Sequence, residues 1–156
     1  MPVPSTMLYQ RATFVTRLPV THLYSPSHSW MARATDGRWR VGFTKFALRM
    51  LGELVDVQVD RPPGAAVQPG DILGSVEGFK AVSDLYCVGR GTFVGGNPAL
   101  STDLDVIARD IYGAGWLYEF EGDPDPRSLD VNAYQDLLNA TIDRILEKQK
   151  ADETDA

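Results

Sequence analysis

The sequence holds few of the residues that build disulfides and metal centres. Cys87 is the only cysteine, and His22 and His28 are the only histidines. A single thiol excludes an intramolecular disulfide and a thiolate metal cluster, so we expect no metal site. The scarcity of cysteine also fits a reducing compartment, and we expect the protein to be cytoplasmic.

Long apolar runs and an excess of basic charge are also missing. No stretch approaches the roughly 18 apolar residues of a membrane span, and the first residues lack the basic and apolar regions of a secretory signal. The 156 residues carry a formal net charge of −6 at pH 7. An acidic chain without a basic stripe is poorly suited to phosphate backbones. We therefore expect neither a membrane nor a nucleic acid as a partner.

The length and the 44% hydrophobic content suit one domain with a single core. We predict one domain over residues 1–156, with its β core at 20–121, a C-terminal helix at 130–150 and a frayed tail at 151–156. The helix follows from apolar residues at positions 131, 134, 138, 142 and 145, which recur with a helical period. Alternating segments and turn residues predict short strands at 12–18, 54–59, 72–76, 81–88 and 115–121.

A hairpin is predicted around Asp36-Gly37. This dipeptide is a two-residue turn signal, because type I′ geometry needs positive φ at both positions. Pairing outward from the turn aligns Trp30 with Phe43. In that register Trp30 and Trp39 share one apolar, buried face, and Met31 falls on the opposite, more polar face.

Local signals also define a short helix and a turn. Thr44 is a typical N-cap for a helix that runs through Leu51 and ends at Gly52. Its predicted buried stripe consists of Phe46, Ala47, Met50 and Leu51. The segment Gln68-Pro69-Gly70-Asp71 predicts a type II turn, with proline second and glycine third.

The segment Glu77-Gly-Phe-Lys-Ala lies between two predicted strands, so we expect it to form a hairpin tip. Gly78 is expected to weaken the continuity of the strand and let the chain turn. Lys80 would then point into water, within reach of another protein. From these residues alone, Lys80 is indistinguishable from an ordinary solvated surface lysine.

Several motifs, in order along residues 24–120, resemble the glycine cleavage H protein family. They are Tyr24-Ser-Pro-Ser-His-Ser-Trp30, Val41-Gly-Phe-Thr44, Leu51-Gly-Glu-Leu-Val55, Val76-Glu-Gly-Phe-Lys-Ala-Val-Ser-Asp84, Asn97 with Leu100, and Tyr112-Gly-Ala-Gly-Trp-Leu117. The lysine that is lipoylated in this family corresponds to Lys80. Lipoyl domains also tend to place glycines sixteen residues before and eleven residues after that lysine, where Gly64 and Gly91 stand.

The resemblance implies a mainly β fold with peripheral helices: a barrel-sandwich hybrid, as in lipoyl domains, with a C-terminal helix. It also implies a non-catalytic carrier, with lipoate attached covalently to Lys80 as a swinging arm. Such an arm would carry dithiolane-bound intermediates between partner enzymes. Tethering would raise the effective concentration of the arm at each of their active sites.

The partners implied by the resemblance are of two kinds. A lipoate ligase or a lipoyl/octanoyl transferase would attach the arm, and Glu77 would help such enzymes to recognise the tip. Glycine decarboxylase, aminomethyltransferase and dihydrolipoamide dehydrogenase would act on the arm afterwards. In the family the loaded arm folds back into a cleft, and the residues that match this cleft are Ser27, Ser29 and Asp84.

The sequence departs from the family pattern where the cleft would hold its cargo. The family usually has His-Glu-Trp in place of His28-Ser29-Trp30. A glutamate would pair with the ammonium of an aminomethyl cargo, a charge-assisted contact worth about 1.5–3 kcal/mol. Ser29 cannot supply that charge, which leaves Asp84 to hold the amine alone. Further departures are Glu77-Gly-Phe-Lys80, Cys87-Val-Gly-Arg-Gly91 and Leu104-Asp-Val-Ile-Ala-Arg-Asp110. They put a glycine-derived cargo in question, but not lipoylation itself.

Three alternatives stay open at this point. H-like lipoate-binding proteins of sulfur oxidation, which work with a heterodisulfide-reductase-like complex, fit these departures, and Cys87 would then be a second sulfur within reach of the arm. Against that role, Cys87 fits a small buried residue in a strand, and His28 fits a structural histidine better than a base. A catalytic enzyme on the same fold would have only Cys87, two histidines and scattered acids to work with. An unmodified scaffold is the remaining alternative.

Overall fold

The computed structural model describes residues 5–34 and 37–154, apart from the side chain of Thr154. The strands, numbered in chain order, are β1 (Thr6–Arg11), β2 (Phe14–Pro19), β3 (Leu23–Tyr24), β4 (Ser29–Arg33), β5 (Arg38–Phe43), β6 (Leu54–Val59), β7 (Ala66–Val67), β8 (Ile72–Gly78), β9 (Val82–Tyr86), β10 (Gly89–Gly96) and β11 (Tyr118–Pro124). The helices are α1 (Lys45–Leu51), α2 (Val106–Arg109) and α3 (Val131–Thr154), with a 3₁₀ turn at Pro98–Ser101.

The described strands form three antiparallel sheets. A six-stranded sheet has the order β3-β4-β5-β11-β10-β7, a three-stranded sheet has the order β6-β8-β9, and β1 pairs with β2 as a hairpin. No helix in residues 5–34 or 37–154 is long and apolar enough to cross a membrane.

The first hydrophobic core lies between the six-stranded and the three-stranded sheets. Val41 and Phe93 reach it from the larger sheet, Val76 and Leu85 from the smaller sheet, and Leu51 from α1. Val76 and Leu85 come from neighbouring strands of the hairpin β8–β9. The base of this hairpin is therefore anchored in the core, which keeps its tip in a defined place.

A second core lies on the other face of the six-stranded sheet, under α3 and the hairpin β1–β2. The predicted apolar stripe of α3 is confirmed, since Val131, Tyr134, Leu138 and Ile142 are buried and Ile145 packs against them. The helix runs on to Thr154, so the tail predicted to fray after residue 150 is helical at residues 151–154. Residues 155 and 156 lie outside the described part of the chain.

The predicted register of the β4–β5 hairpin is wrong by one residue. Phe43 pairs with Ser29, and Met31, not Trp30, shares the face of Phe43. The N–H of Ala34 donates to the carbonyl of Arg38 over 2.7 Å, which leaves three residues between the paired ends. Gly37 has φ of 74°, as expected for the left-handed last position of a three-residue loop. Residues 35 and 36, half of the predicted turn among them, lie outside the described residues.

The hairpin buries both of its faces. Met31 is fully buried in the first core, and Trp30 is 1% exposed in the second core. Trp39 is partly buried against the first core, so Trp30 and Trp39 do not share a face. The prediction that Met31 lies on a more polar face of the hairpin is therefore wrong.

The short helix α1 begins and ends where its caps predict. The Thr44 hydroxyl accepts a hydrogen bond from the N–H of Ala47, and Gly52 follows the helix with φ of 78°. The predicted stripe is confirmed at three of its positions, but Met50 is 52% exposed. Met50 falls on the solvent side because the buried stripe of such a short helix is narrow.

Most other predicted elements are confirmed with shifted ends. Strand β6 has its predicted bounds, and the type II turn is present, with Gly70 at φ of 91° and the N–H of Asp71 donating to the carbonyl of Gln68. The strand predicted at 12–18 begins at Phe14, and the sequence analysis missed its partner β1. The strands predicted at 72–76, 81–88 and 115–121 correspond to β8, β9 and β11. The single domain over residues 1–156 stays a prediction.

Candidate functional site

Lys80 lies at the tip of the hairpin β8–β9. The N–H of Gly78 donates to the carbonyl of Ala81 over 2.9 Å and closes the tip. The side chain of Lys80 is exposed, as are its neighbours Phe79 and Ala81. The chain reversal thus holds the lysine beyond the last paired residues of the two strands.

The backbone of the tip is fixed to the C-terminal end of α1. The N–H of Lys80 donates to the carbonyl of Leu51 over 2.9 Å, and the N–H of Phe79 donates to the carbonyl of Glu53 over 3.0 Å. The last carbonyls of a helix have no partner within the helix, so donors from another segment are well placed there. The lysine therefore has an immobilised backbone and a free side chain.

Two glycines allow the tip to approach α1 this closely. A Cβ at Gly78 would lie 2.1 Å from the carbonyl oxygen of Leu51, and a Cβ at Gly52 would lie 2.9 Å from Cγ of Lys80. Gly78 is the last residue of β8, where it pairs with Leu54, and the chain turns directly after it, as predicted. Its function is to leave space for the backbone of Leu51.

The amine of Lys80 makes only one weak contact within the described residues. Nζ lies 3.4 Å from the carbonyl oxygen of Arg49, which is long for a hydrogen bond. No carboxylate in residues 5–34 or 37–154 forms an ion pair with it. The amine is therefore accessible to a modifying enzyme without first breaking a strong interaction.

Glu77 and Asp84 belong to the same hairpin as Lys80. Glu77 is opposite Val82 in β9, and Asp84 is opposite Ser75 in β8. Because side chains alternate along a strand, both carboxylates lie on the outer face of the three-stranded sheet, and both are exposed. Glu77 is next to the tip, whereas Asp84 lies about 10 Å from it, three residues along the strand at about 3.3 Å each. Neither carboxylate forms an ion pair with the lysine.

Ser27 and Ser29 lie at the opposite end of α1 from Lys80. The N–H of Thr44, the N-cap of α1, donates to the carbonyl of His28 over 3.1 Å, which places the two serines at the start of the helix. The seven residues of α1 span about 10 Å at 1.5 Å per residue. Within the described residues no hydrogen bond joins either serine to the Lys80 hairpin. The structure thus puts Lys80, Glu77 and Asp84 on one hairpin, with only Glu77 next to the tip, and keeps the serines one helix length away.

The two serines differ in their exposure. Ser29 is 8% exposed in β4, and its N–H donates to Oγ of Ser25. Ser27 is exposed, and its Oγ lies 2.9 Å from Oγ of Ser25. A carboxylate at position 29 would therefore start from a buried backbone position and would need to reach the surface to meet a cargo.

His28 has a structural environment. Its φ is 72°, its Nδ1 lies 2.9 Å from the Tyr134 hydroxyl, and its ring packs on Phe46 at 4.6 Å between centroids. Burial lowers the pKa of His28 to about 4. The imidazole links α3 to the start of α1, as expected for a structural histidine.

Cys87 is buried in the first core and is 2% exposed. It lies just after the end of β9, and its thiol donates to the carbonyl of Gly89 over 3.3 Å. Burial raises the pKa of the thiol, so less of the reactive thiolate is present at neutral pH. These features favour the structural interpretation of Cys87. Among the described residues no group of three or more His, Cys, Asp or Glu side chains is placed to hold a metal ion.

Exposed apolar side chains surround the lysine, and the sequence analysis did not identify them as a set. We call them the apolar collar: Met50, Val55, Phe79 and Val82. Phe79 is 76% exposed and Val82 is 72% exposed, on either side of Lys80 in the chain. Met50 precedes Leu51, which accepts the lysine N–H, and Val55 follows Leu54, which pairs with Gly78. The one available signal was Phe79 beside Lys80, in a segment that departs from the family pattern.

One departure from the family pattern has a structural explanation. The segment Leu104-Asp-Val-Ile-Ala-Arg-Asp110 contains the short helix α2, whose Val106 and Ile107 are buried. Ile107 belongs to the first core. This segment therefore contributes to packing and does not contact the Lys80 tip through any described hydrogen bond.

Comparison with known proteins gives consistent results. A family model described as "Glycine cleavage H-protein" matches residues 22–141. A glycine cleavage system H protein from Corynebacterium jeikeium is 37% identical over 124 residues, which cover 78% of this chain and 97% of the relative. A glycine cleavage system H protein from Citrobacter koseri is 34% identical over 128 residues, which cover 80% of this chain and 98% of that relative. A crystal structure of a glycine cleavage system H protein from Mycobacterium marinum matches with a TM-score of 0.67 and 38% identity, over 75% of this chain and 95% of that one.

Proposed function

The chain belongs to the glycine cleavage H-protein family, and from this premise we propose that Lys80 is the residue on which it carries lipoate. The protein is a lipoyl carrier and not a catalyst, with the mainly β, barrel-sandwich fold and C-terminal helix expected from the resemblance. The attachment position, the individual partners and the cargo are proposals of this section.

The exposed, unpaired amine at the hairpin tip is the observation that supports attachment at Lys80. The anchored base of the hairpin and the hydrogen bond from Lys80 to Leu51 hold the backbone in place. The side chain is left free, with only the 3.4 Å contact to Arg49. A rigid support and an accessible amine are what a covalent lipoyl arm requires, so the residues present fit the cofactor.

The residues of the hairpin have separate tasks in this proposal. When bound, lipoate supplies a strained dithiolane that can be reduced or loaded at sulfur. The chain's own contribution is to present Lys80 at a fixed point and to leave the arm mobile, which raises its effective concentration at a partner's active site. Glu77 gives the attaching enzyme, a lipoate ligase or a lipoyl/octanoyl transferase, a charged recognition point on the outer face of the sheet.

The apolar collar is proposed as the surface on which partner enzymes dock. An exposed phenylalanine beside the modified residue is a suitable anchor, since aromatic side chains often dominate interface energetics. The partners are proposed to be glycine decarboxylase, aminomethyltransferase and dihydrolipoamide dehydrogenase, because the named relatives belong to the glycine cleavage system. Each of them would contact the same tip in turn.

Asp84, Ser27 and Ser29 are proposed to line the path of a folded-back arm. Asp84 supplies the negative charge for an amine cargo on the Lys80 hairpin, and the serines lie at the start of α1. The distance of about 10 Å along α1 is the length that an arm on Lys80 would have to cover to reach them.

A sulfur cargo is the second candidate, and Ser29 is the observation that favours it. The buried serine leaves that end of α1 without the carboxylate that would pair with an amine. The buried Cys87 does not support a sulfur relay through a second thiol. A sulfur carrier working with a heterodisulfide-reductase-like complex would therefore depend on the arm alone.

Attachment is tested by intact mass after co-expression with a lipoate ligase in the presence of lipoate. We expect the wild-type chain to gain one lipoyl group, Lys80→Arg to gain none, and Lys148→Arg to behave as wild type. Lys148 is a matched control because it is an exposed lysine on α3, far along the chain from the hairpin. An unshifted wild-type mass would support the unmodified scaffold, and a shift retained in Lys80→Arg would place the arm elsewhere.

The cargo is tested with the lipoylated protein and purified partner enzymes. Aminomethyl transfer with glycine decarboxylase and aminomethyltransferase at the rate of an H protein that has the His-Glu-Trp motif would support a glycine-derived cargo. Absence of transfer, together with loading by a sulfur-oxidation complex, would support the second candidate.

A further inference from the structure

A large groove lies on the face of the six-stranded sheet that points away from the Lys80 hairpin. Its volume is about 970 Å³. Leu8 and Val15 of the hairpin β1–β2 form one side, Trp30 and Ala32 of β4 lie at its base, and Ile111 and Tyr112 form the other side. We call it the basic groove, and Lys80 is not among the residues that line it.

The hairpin β1–β2 is what makes this surface concave. The family match begins at residue 22, so both strands of the hairpin lie outside it. Leu8 is 58% exposed and Val15 is 37% exposed, although the opposite face of the hairpin is buried in the second core. Leu8 and Val15 therefore form an apolar wall of the groove. No other described residue covers this wall.

The groove is strongly cationic for a protein whose net charge is −6. Its lining includes the basic residues Arg17, Arg33, Arg40, Lys45 and Arg109, against a single acid, Asp110. The carboxylate of Asp110 accepts a hydrogen bond from the N–H of Ala114. Such a concentration of one sign of charge in a concave surface attracts anions.

Three of the five cations, Arg17, Arg33 and Lys45, form no ion pair with a carboxylate within residues 5–34 and 37–154. Arg40 pairs with Glu119 and Arg109 pairs with Asp103, and Nζ of Lys45 donates to the carbonyl of Val15. Arg33 is opposite Trp39 in the β4–β5 pairing, and its guanidinium stacks on that ring at 5.1 Å, on the face of the first core and away from the groove. Arg17 is opposite Leu8 in the hairpin β1–β2, on the face that lines the groove. The Arg17 guanidinium and the Lys45 ammonium line the groove without a carboxylate partner among the described residues, so they can bind a carboxylate or a phosphate.

We propose that the basic groove binds a small amphipathic anion, with an aliphatic or aromatic body and a carboxylate or phosphate head. The volume is in the range of small-molecule sites, which are mostly apolar with a few polar groups that orient the ligand. The body packs against Leu8 and Val15, and the head contacts Arg17 and Lys45. This site is separate from the carrier site, so it does not depend on the attachment of lipoate to Lys80.

Isothermal titration calorimetry of the full chain with decanoate, decyl phosphate and decanol tests the proposal. We expect saturable binding of one or both anions and weaker binding of decanol. The double variant Arg17→Gln/Lys45→Gln should bind the anion roughly tenfold more weakly, because it loses the charge-assisted contacts. Arg90→Gln is the matched control, since Arg90 is an exposed strand arginine outside the groove, and it should bind as wild type.

A second variant tests whether anion binding can be lost while the protein stays folded. Leu8→Glu places a carboxylate on the wall at an already exposed position, so circular dichroism and the unfolding midpoint should match wild type while anion binding is lost. Comparison of decanoate with decyl phosphate identifies the preferred head group.

The proposal is overturned if neither anion binds saturably, if decanol binds as well as the anions, or if the double variant binds like wild type. Binding of an acidic peptide without binding of either anion would also overturn it, in favour of a protein partner.

Discussion

The N–H of Lys80 and the carbonyl oxygen of Leu51 are joined by a hydrogen bond of 2.9 Å between the hairpin tip and the end of α1. This contact fixes the position of the lysine relative to the helix that leads to Ser27 and Ser29. The contact requires glycine at position 78, because any Cβ there would collide with the same carbonyl.

Replacement of Gly78 should disturb both stability and modification. Gly78→Ala forces the tip away from Leu51, and we expect the free energy of unfolding to fall by about 1–3 kcal/mol and lipoylation by a ligase to slow. Urea unfolding and a mass-based time course measure the two effects. Gly70→Ala is the control: its φ is 91° and nothing lies within 4 Å of its Cβ position, so it should lose about 1 kcal/mol from backbone strain with no change in lipoylation rate. Equal lipoylation rates in the two variants would contradict the role of the Leu51 contact.

The apolar collar should be important for partner enzymes and unimportant for folding. Phe79 is 76% exposed, so Phe79→Ser should change the free energy of unfolding by less than about 0.5 kcal/mol. Loss of an aromatic anchor should lower kcat/KM of at least one partner enzyme about tenfold. Ile72→Ser serves as the control, because Ile72 is 51% exposed at the far end of β8 and should leave kcat/KM unchanged. If Phe79→Ser and Ile72→Ser gave similar kcat/KM values, the apolar collar would not be part of the docking surface.

Ser29 should determine how well an amine cargo is held. Ser29→Glu restores a carboxylate at the start of α1, and we expect the rate of aminomethyl transfer to rise. Ser29→Gln has nearly the same shape without the charge and should not raise the rate. Both variants start from a buried position and should lose stability, by about 1–3 kcal/mol, so rates are compared at a temperature where both are folded. An equal rise in Ser29→Gln would show that shape, not charge, is limiting.

Two histidines, the buried His22 and the half-buried His28, should make stability fall as the pH falls from neutral. Burial lowers the pKa of His22 and of His28 to about 4, below the ordinary value of 6.5. Between pH 6.5 and 4 the unfolded chain therefore binds more protons than the folded chain, so stability decreases on acidification by at most about 1.4 kcal/mol per pH unit for each histidine. Ion pairs such as Arg11–Asp143, where the arginine lowers the pKa of the carboxyl from 3.8, lose their contribution only at lower pH.

His28→Asn isolates one of these contributions. Asparagine tolerates the left-handed φ of 72° at this position, but it does not titrate. We expect urea unfolding between pH 7.5 and pH 5 to show a shallower pH dependence than wild type, by about half if the two histidines contribute equally. A pH dependence identical to wild type would contradict the contribution of His28.

Local elements were predictable because their signals lie within a few residues. The Thr44 cap with Gly52, the turn at 68–71 and the stripe of α3 each depend on neighbouring side chains and backbone geometry. The hairpin register was not predictable in the same way, since it depends on whether the loop has two or three residues. A shift of one residue reverses the faces of a strand. The alternation of apolar residues did not reveal the error, because β4 buries Met31 on one face and Trp30 on the other.

The candidate site was predictable only in part. The resemblance identified Lys80, Glu77 and Asp84, which are close in sequence and therefore close on one hairpin. It did not show that Ser27 and Ser29 lie a helix length away, and it did not reveal the apolar collar. Met50 and Val55 belong to elements other than the hairpin, and their exposure depends on how those elements pack.

The sequence by itself determined several short elements, the acidic charge, the scarcity of cysteine and histidine, and the family of this carrier, because each of these is set by composition, by local patterns or by motifs of fixed order. Only the tertiary structure decided which faces of the sheets are buried, how closely the Lys80 tip approaches Leu51, and that the hairpin β1–β2 creates a cationic groove. These features arise where segments distant in the chain meet, and the free energy of such contacts depends on packing that no single segment specifies.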